Sequence, residues 1–472
     1  MNRYLTTTLP YVNANPHLGH ALEFVEADAY ARALRARGDS VFLNIGTDEH
    51  GAKIVEKAER AGKSPQEYAD EYAARFKRFA SQLGISYDSF VRTTDPHHVK
   101  AAQEFWKRCD AAGDIYKAEY EVKYCVGCEL EKTESELVDG RCPLHPTLEI
   151  EVRREENYYF RFSKYQQALL DQYAAHPDFV LPEGRMHEMR SFVEMGLKDF
   201  SISRRREKLS WGIPVPGDEE HVMYVWFDAL VNYVSAIGWP EDAAAFEKWW
   251  PVTQFAGKDN LRQQALMWQA MLLSAGLPFS RQVFIHGFIT SGGQKMSKSL
   301  GNVIDPVALI EEYGADAVRY VLLRHVSPFE DSDLSVESVR EHYTAHLTNG
   351  LGNLVARVMK LAETHLPEPI AQPEPSPFPQ EYWDALDAFE FNRAMDLIWA
   401  RVQAADERIT AEKPFAVVKE DAEKGRAIIA DLARELYAIA HLLQPFMPAT
   451  SDAIKAAVLA NKKPENLFPR LA

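Results

Sequence analysis

Cysteine is scarce in this chain. Four occur in 472 residues, and three of them, Cys125, Cys128 and Cys142, share one short stretch while Cys109 stands apart. That pattern excludes a disulfide framework and points to a metal site in a reducing compartment. Long apolar runs are also missing, since no stretch of about 20 uninterrupted apolar residues is present to span a bilayer. The start, MNRYLTTTLPYVNANPHLGH, lacks the cationic lead and apolar core of an export signal. A cytoplasmic protein that makes no use of membranes is expected. Basic residues fall short of acidic ones: 53 Lys and Arg against 69 Asp and Glu leave a net charge of −16. Coating nucleic acid by bulk charge is thereby excluded, although a local basic groove is not. No internal repeat occurs, which excludes a solenoid or propeller. With 46% hydrophobic and 11% aromatic residues, the chain can still build cores, and 472 residues suggest about three domains.

The order of local patterns predicts an α/β fold. Tyr4 to Leu9 reads as a strand, Pro10 to Pro16 as a loop, His20 to Gly38 as a helix and Ser40 to Ile45 as a second strand. Such alternation builds a parallel sheet with helices on its faces, and ligands collect where strands end and helices begin. From about Tyr116 to Ser210 the pattern breaks into short charged, aromatic and cysteine-bearing pieces, which read as an insertion. Strand-like runs resume at His221–Phe227 and Gln282–Ile289, so the sheet is expected to draw on both sides of it. Leu366 to Gln380 carries six prolines, predicts an extended connector and marks a joint. Beyond it, Tyr382 to Leu471 has helical periodicity and predicts a bundle.

Three patterns carry chemistry. His17-Leu18-Gly19-His20 sits at the mouth of a helix, where two imidazoles, a glycine and the helix N-terminus can meet a phosphate chain. Alone, the same four residues describe a capped helix start. Gly292-Gly293-Gln294-Lys295-Met296-Ser297-Lys298-Ser299-Leu300-Gly301 places two lysines three apart among glycines and hydroxyls. A loop of that kind can close on phosphates in a transition state, or it can be an ordinary solvated loop. Cys125-Val126-Gly127-Cys128, followed by Cys142-Pro143-Leu144-His145, matches a closed tetrahedral zinc site, with a redox pair as the alternative.

With these motifs the sequence resembles the class I aminoacyl-tRNA synthetases, and in detail the methionyl group with a single zinc knuckle. The likeness includes Leu9-Pro10-Tyr11, Gly46-Thr47-Asp48-Glu49-His50-Gly51, Trp211-Gly212-Ile213-Pro214, Tyr224–Ala229, Gly257-Lys258-Asp259 and Leu351–Arg357. The resemblance implies a Rossmann-like catalytic domain in two halves, 1–115 and 211–290, around a knuckle-bearing insertion at 116–210. A lysine loop and stem-contact region at 291–345 would follow, then a helical anticodon-binding domain at 346–472. It implies the synthesis of methionyl-adenylate from ATP and methionine, then transfer to tRNA(Met), initiator included.

Carried over by resemblance, His17, His20, Lys295 and Lys298 are catalytic. Gly19, Glu23, Gly257 and Asp259, with His17, His20 and Lys298, would bind ATP and its Mg²⁺. Leu9, Tyr11, Trp226, Ala229, Leu230, Tyr233 and Trp268 would line a methionine pocket, with Asp48 on the ammonium. Aromatic walls suit a polarizable thioether, and a carboxylate suits an ammonium, although the aromatics are equally compatible with an ordinary core. Cys125, Cys128, Cys142 and His145 would hold one structural Zn²⁺. Asn353, Arg357 and Phe415 would read the anticodon. Phe415 stands where the family commonly has tryptophan, keeping a stacking face without the indole donor. Gln264 stands where relatives usually have a pocket histidine. From Glu341 to Ala472, 14 basic and 19 acidic residues leave net −5, so base contacts must outweigh a weak phosphate attraction. A monomer is expected. The rivals are a synthetase for another apolar amino acid, a small-molecule nucleotidylyltransferase and a noncatalytic zinc-knuckle RNA-binding protein.

Overall fold

A computed structural model describes residues 1–132, 136–296, 303–373 and 378–471. Its centre is a six-stranded parallel sheet. The strands are β1 (Asn2–Thr7), β2 (Ser40–Thr47), β3 (Ser89–Arg92), β4 (Val180–Leu181), β5 (Val252–Gly257) and β6 (Gln282–His286), in the spatial order β3-β2-β1-β5-β6-β4. Chain order reverses direction between β1 and β5, and that switch point opens a crevice at the strands' carboxyl ends. Helix α1 (Leu18–Ala36) follows β1 and buries Leu22, Val25, Ala29 and Ala33 against the sheet.

Two readings of the sequence are corrected. His221–Phe227 does not enter the parallel sheet. Asp218–Met223 is a strand of a separate three-stranded sheet, and Val225–Leu230 is already helix. An apolar run of that length fits a buried strand or a buried helix equally well, and periodicity cannot separate them. The strand on the far side of the insertion is β5, every residue of which is buried. The insertion is also less self-contained than 116–210 implies. It builds a four-stranded antiparallel sheet around Ile115–Cys125 and Glu151–Phe160, but β4 leaves it to pair with β6 as the edge of the central sheet.

The C-terminal part is helical, with Asn353–His365, Phe391–Glu412, Ala422–Leu443 and Pro448–Leu459 packed together. The proline-rich segment links Asn353–His365 to Gln380–Asp387, two helices of this one bundle. Bundle and sheet share a core: Phe389 stacks on Phe284 of β6 at 4.7 Å and meets Phe255 of β5 at 5.6 Å. A buried ion pair between Arg319 and Asp28 of α1, at 2.7 Å, reinforces this, because Arg319 also donates to the carbonyls of Pro445 and Phe446. Cys109 is a core residue whose thiol is pushed up to about 12 by burial. Among the described residues, no helix is long and apolar enough to cross a membrane.

Candidate functional site

A cavity of about 1070 Å³ occupies the switch point, lined by residues from β1, α1, the β2 end, the knuckle, Val225–Tyr233, and the turns after β5 and β6. Along the chain these contributors are far apart, and the sheet brings them together.

At one end stand His17 and His20. His17 is the N-cap of α1, and its Nδ1 accepts from the Gly19 N–H at 3.1 Å, while His20 Nδ1 accepts from the His17 N–H at 3.2 Å. The two rings stack at 3.6 Å, and His20 meets the edge of Phe76 at 5.1 Å. Burial, with His17 and His286 nearby, holds His20 well below the ordinary imidazole range. A neutral His20 that accepts at Nδ1 carries its proton on Nε2, so it can donate a hydrogen bond but brings no positive charge. The capped helix start and this end of the cavity wall are therefore the same structure.

Glu23, one turn further along α1, is already engaged. Its Oε1 accepts from the Thr8 N–H at 2.7 Å and the Thr8 hydroxyl at 2.6 Å, and its Oε2 pairs with His286 at 3.1 Å. Burial opposes a charge on His286, but the bond to Glu23 and the Glu26 carboxyl raise it to about 9, so it is an imidazolium at neutral pH. Gly257, the last residue of β5, and Asp259, in the turn that follows, also line the cavity.

The other end is aromatic. Tyr11 and Asp48 are paired in extended backbone, where Val12 N–H donates to the Asp48 carbonyl at 3.0 Å and Asp48 N–H to that of Pro10 at 2.9 Å. This continuation of β1 and β2 puts Leu9 and Tyr11 beside the Asp48 carboxylate. Asp48 Oδ1 is buried without a hydrogen-bond partner, and burial beside Asp228 and Glu129 pushes its carboxyl well above the usual range. Such a group favours an incoming cation. Trp226, Ala229, Leu230 and Tyr233 complete the wall. Trp268 does not reach the cavity. It is fully buried behind Tyr233, with ring centroids 5.6 Å apart, and stacks on Phe105 at 5.5 Å. Gln264 does line it, and its Oε1 accepts from Gln254 of β5 at 2.6 Å.

The lysine-bearing segment begins as a hairpin, Ile289–Ser291 against Gln294–Lys295. Gly292 and Gly293 turn it with φ of +64° and +71°, a two-residue geometry that favours glycine. Asp333 fastens the turn, its Oδ1 accepting from Gly293 N–H at 2.8 Å and the Thr290 hydroxyl at 2.9 Å. The Lys295 backbone pairs with Thr290. Met296 and Val303, on either side of residues 297–302, both line the cavity. Lys298 lies outside the described residues.

Cys125, Cys128, Cys142 and His145 converge, with ligand atoms all within 4.8 Å of one another. Cys128 Sγ is 3.4 Å from Cys142 Sγ and 3.2 Å from His145 Nδ1, and Cys125 Sγ is 3.8 Å from that nitrogen. Ligands at about 2.0–2.3 Å from a tetrahedral ion lie roughly 3.3–3.8 Å apart, so the donor set fits. Gly127 is needed there, since a Cβ on it would lie 2.3 Å from the His145 ring.

Sequence reasoning missed several cavity residues. Arg75 and Arg78, three apart on Pro65–Gln82, border the histidine end; Arg75 donates to Asn15 Oδ1 at 2.5 Å. Their spacing was a readable signal. Gly127, Cys128 and Glu129 make the knuckle part of the cavity wall, and Lys53 joins it by donating to the Gly127 carbonyl at 3.0 Å. Nothing in the sequence announces that contact. Far away on the bundle, Asn353 is exposed, Arg357 pairs with Asp406, and Phe415 leaves 47% of its surface in solvent.

Comparison with known proteins agrees with this geometry. The sequence model of the family described as tRNA synthetases class I (M) matches residues 3–148 and 131–359. The chain is 43% identical over 470 residues to the methionine–tRNA ligase of Thermosynechococcus vestitus, covering 95% of this chain and 88% of the relative. It is 40% identical over 481 residues to that of Thermotoga maritima, covering 98% and 76%. Among solved structures, Mycobacterium tuberculosis methionyl-tRNA synthetase in complex with methionyl-adenylate superposes with a TM-score of 0.89 at 36% identity, covering 100% of this chain and 99% of that one. Likeness of this extent, carried by sequence and backbone alike, makes the chain a member of the methionyl class I tRNA synthetases.

Proposed function

We propose that this chain is a methionine–tRNA ligase that forms methionyl-adenylate and pyrophosphate from ATP and L-methionine, then transfers the methionyl group to the 3′ end of tRNA(Met), initiator included. One observation carries the reading: a single cavity has imidazoles at a helix N-terminus at one end and, at the other, an unpartnered buried carboxylate oxygen of Asp48 inside an aromatic wall. The first end suits a polyphosphate and the second an apolar amino acid with its ammonium.

The chemistry is positioning and charge stabilisation. Asp48 anchors the ammonium while Leu9, Tyr11, Trp226, Ala229, Leu230 and Tyr233 enclose the thioether, with Trp268 behind them. The methionine carboxylate attacks the α-phosphorus in line, the bond to the bridging oxygen breaks, and pyrophosphate leaves with its electron pair. His17 and His20 donate hydrogen bonds to the phosphates, with Gly19 allowing close approach. Since His20 is neutral, the cationic contribution falls to Lys295 and Lys298, with Arg75 and Arg78 at the mouth. Glu23, Gly257 and Asp259 hold the adenosine side. Mg²⁺, where it accompanies ATP, would supply further neutralisation of the phosphate charge. Cys125, Cys128, Cys142 and His145 would hold one Zn²⁺, which fixes the knuckle wall. Asn353, Arg357 and Phe415 present the anticodon face, and the enzyme acts as a cytoplasmic monomer.

ATP–pyrophosphate exchange run with each of the twenty amino acids tests this. Methionine alone should support exchange, and exchange driven by leucine or cysteine in its place overturns the assignment.

A further inference from the structure

A second cluster of ligating side chains lies outside the cavity, where the helix Ala315–His325 meets the segment running from Val336–His342 into Tyr343–Gly352. His325 closes the first helix, and His342 and His346 sit one turn apart on the second segment. The His325 and His342 rings stack at 3.6 Å with 8° between their planes, and His346 is centred 5.2 Å from His325. One ligand atom from each of the three lies within 4.8 Å of the others.

We propose that His325, His342 and His346 form a second metal site, for a borderline divalent transition cation of the Zn²⁺, Ni²⁺ or Cu²⁺ class. The donor set is the argument. Three imidazoles with no thiolate or carboxylate suit these cations and not Mg²⁺ or Ca²⁺, which take oxygen ligands. Nitrogens at about 2.0–2.1 Å from one ion lie roughly 3.3 Å apart, a separation within reach of the present spacing, and the stacked rings of His325 and His342 must turn out of their stack for their in-plane lone pairs to converge on the ion. The i,i+4 pair is preset by its helix, and only His325 comes from elsewhere.

The surroundings hold the rings in place. The Tyr320 hydroxyl is 2.7 Å from His346 Nδ1 and 3.0 Å from His325 Nε2, and it accepts from Arg324 at 2.7 Å. Arg324 is neutralised by Asp396 at 2.9 Å, which limits its repulsion of an ion. All three rings are partly exposed, so an ion can enter and keep solvent ligands. Because Ala315–His325 packs on Phe391–Glu412 and carries Arg319, the ion would staple the joint between catalytic layer and bundle. The knuckle, with three thiolates, would fill first.

Calorimetric titration of the zinc-loaded enzyme with Ni²⁺ tests the site, with His342→Gln and His346→Gln as separate variants. Wild type should take up one further equivalent, and each variant should bind it at least about tenfold more weakly while keeping its knuckle zinc. Circular dichroism identifies a variant that fails to fold, and the other then decides. A wild type that binds no further equivalent, or a folded variant that binds it as wild type does, overturns the proposal.

Discussion

Replacing Asp48 by asparagine keeps the shape of the proposed methionine pocket and removes the carboxylate assigned to the ammonium. Two effects of opposite sign follow. In the ligand-free enzyme the Asp48 carboxyl is held well above its ordinary range by burial and by Asp228 and Glu129. A carboxyl raised in the folded state contributes nothing below its unfolded value, near 3.9, and costs stability increasingly as pH climbs towards its folded value. Asp48→Asn should therefore leave the empty enzyme as stable as wild type or more so at pH 8. Methionine binding should suffer. Breaking a buried ion pair costs about 3–5 kcal/mol, and each 1.4 kcal/mol is tenfold, so Kd should rise by roughly 10² to a few times 10³. Thermal melts across pH and a methionine titration followed by tryptophan fluorescence measure both. A Kd within about threefold of wild type, or an empty variant that melts lower at every pH, would refute the reasoning.

Lys298→Ala should slow adenylate formation by orders of magnitude with little change in methionine Kd, and equal losses in pre-steady-state rate and affinity would remove the lysine from the transition state. Gly127→Ala places a methyl group against the His145 ring; zinc content by mass spectrometry should fall, and the KM for methionine should rise because the knuckle walls the cavity. Unchanged zinc stoichiometry would contradict it. Phe415→Ala should raise the KM for tRNA by the equivalent of about 1–3 kcal/mol of lost stacking, while exchange without tRNA stays at wild-type rate. A parallel loss of exchange would show that the residue acts through the fold.

The sequence by itself determined what depends on neighbours along the chain. His17 and His20 lie at a helix start because the loop Pro10–Pro16 ends there and helical periodicity begins, and the capping bonds between them span only three residues. The spacing of Cys125, Cys128, Cys142 and His145 likewise sets how the knuckle closes. Tertiary structure decided whatever depends on which surfaces meet. Asp48 acquires its buried Oδ1 without a partner and its raised carboxyl only when β2 lies beside β1 and Asp228 comes up behind it. Trp268 became a backing layer because Tyr233 stands between it and the cavity. β4 joined the central sheet from inside the insertion, and His325 met His342 and His346, through packing that no periodicity encodes. Local hydrogen bonds and ligand spacings are short-range and leave a signature in order and interval, whereas burial, electrostatic environment and long-range pairing arise from close packing between segments and exist only once the chain has folded.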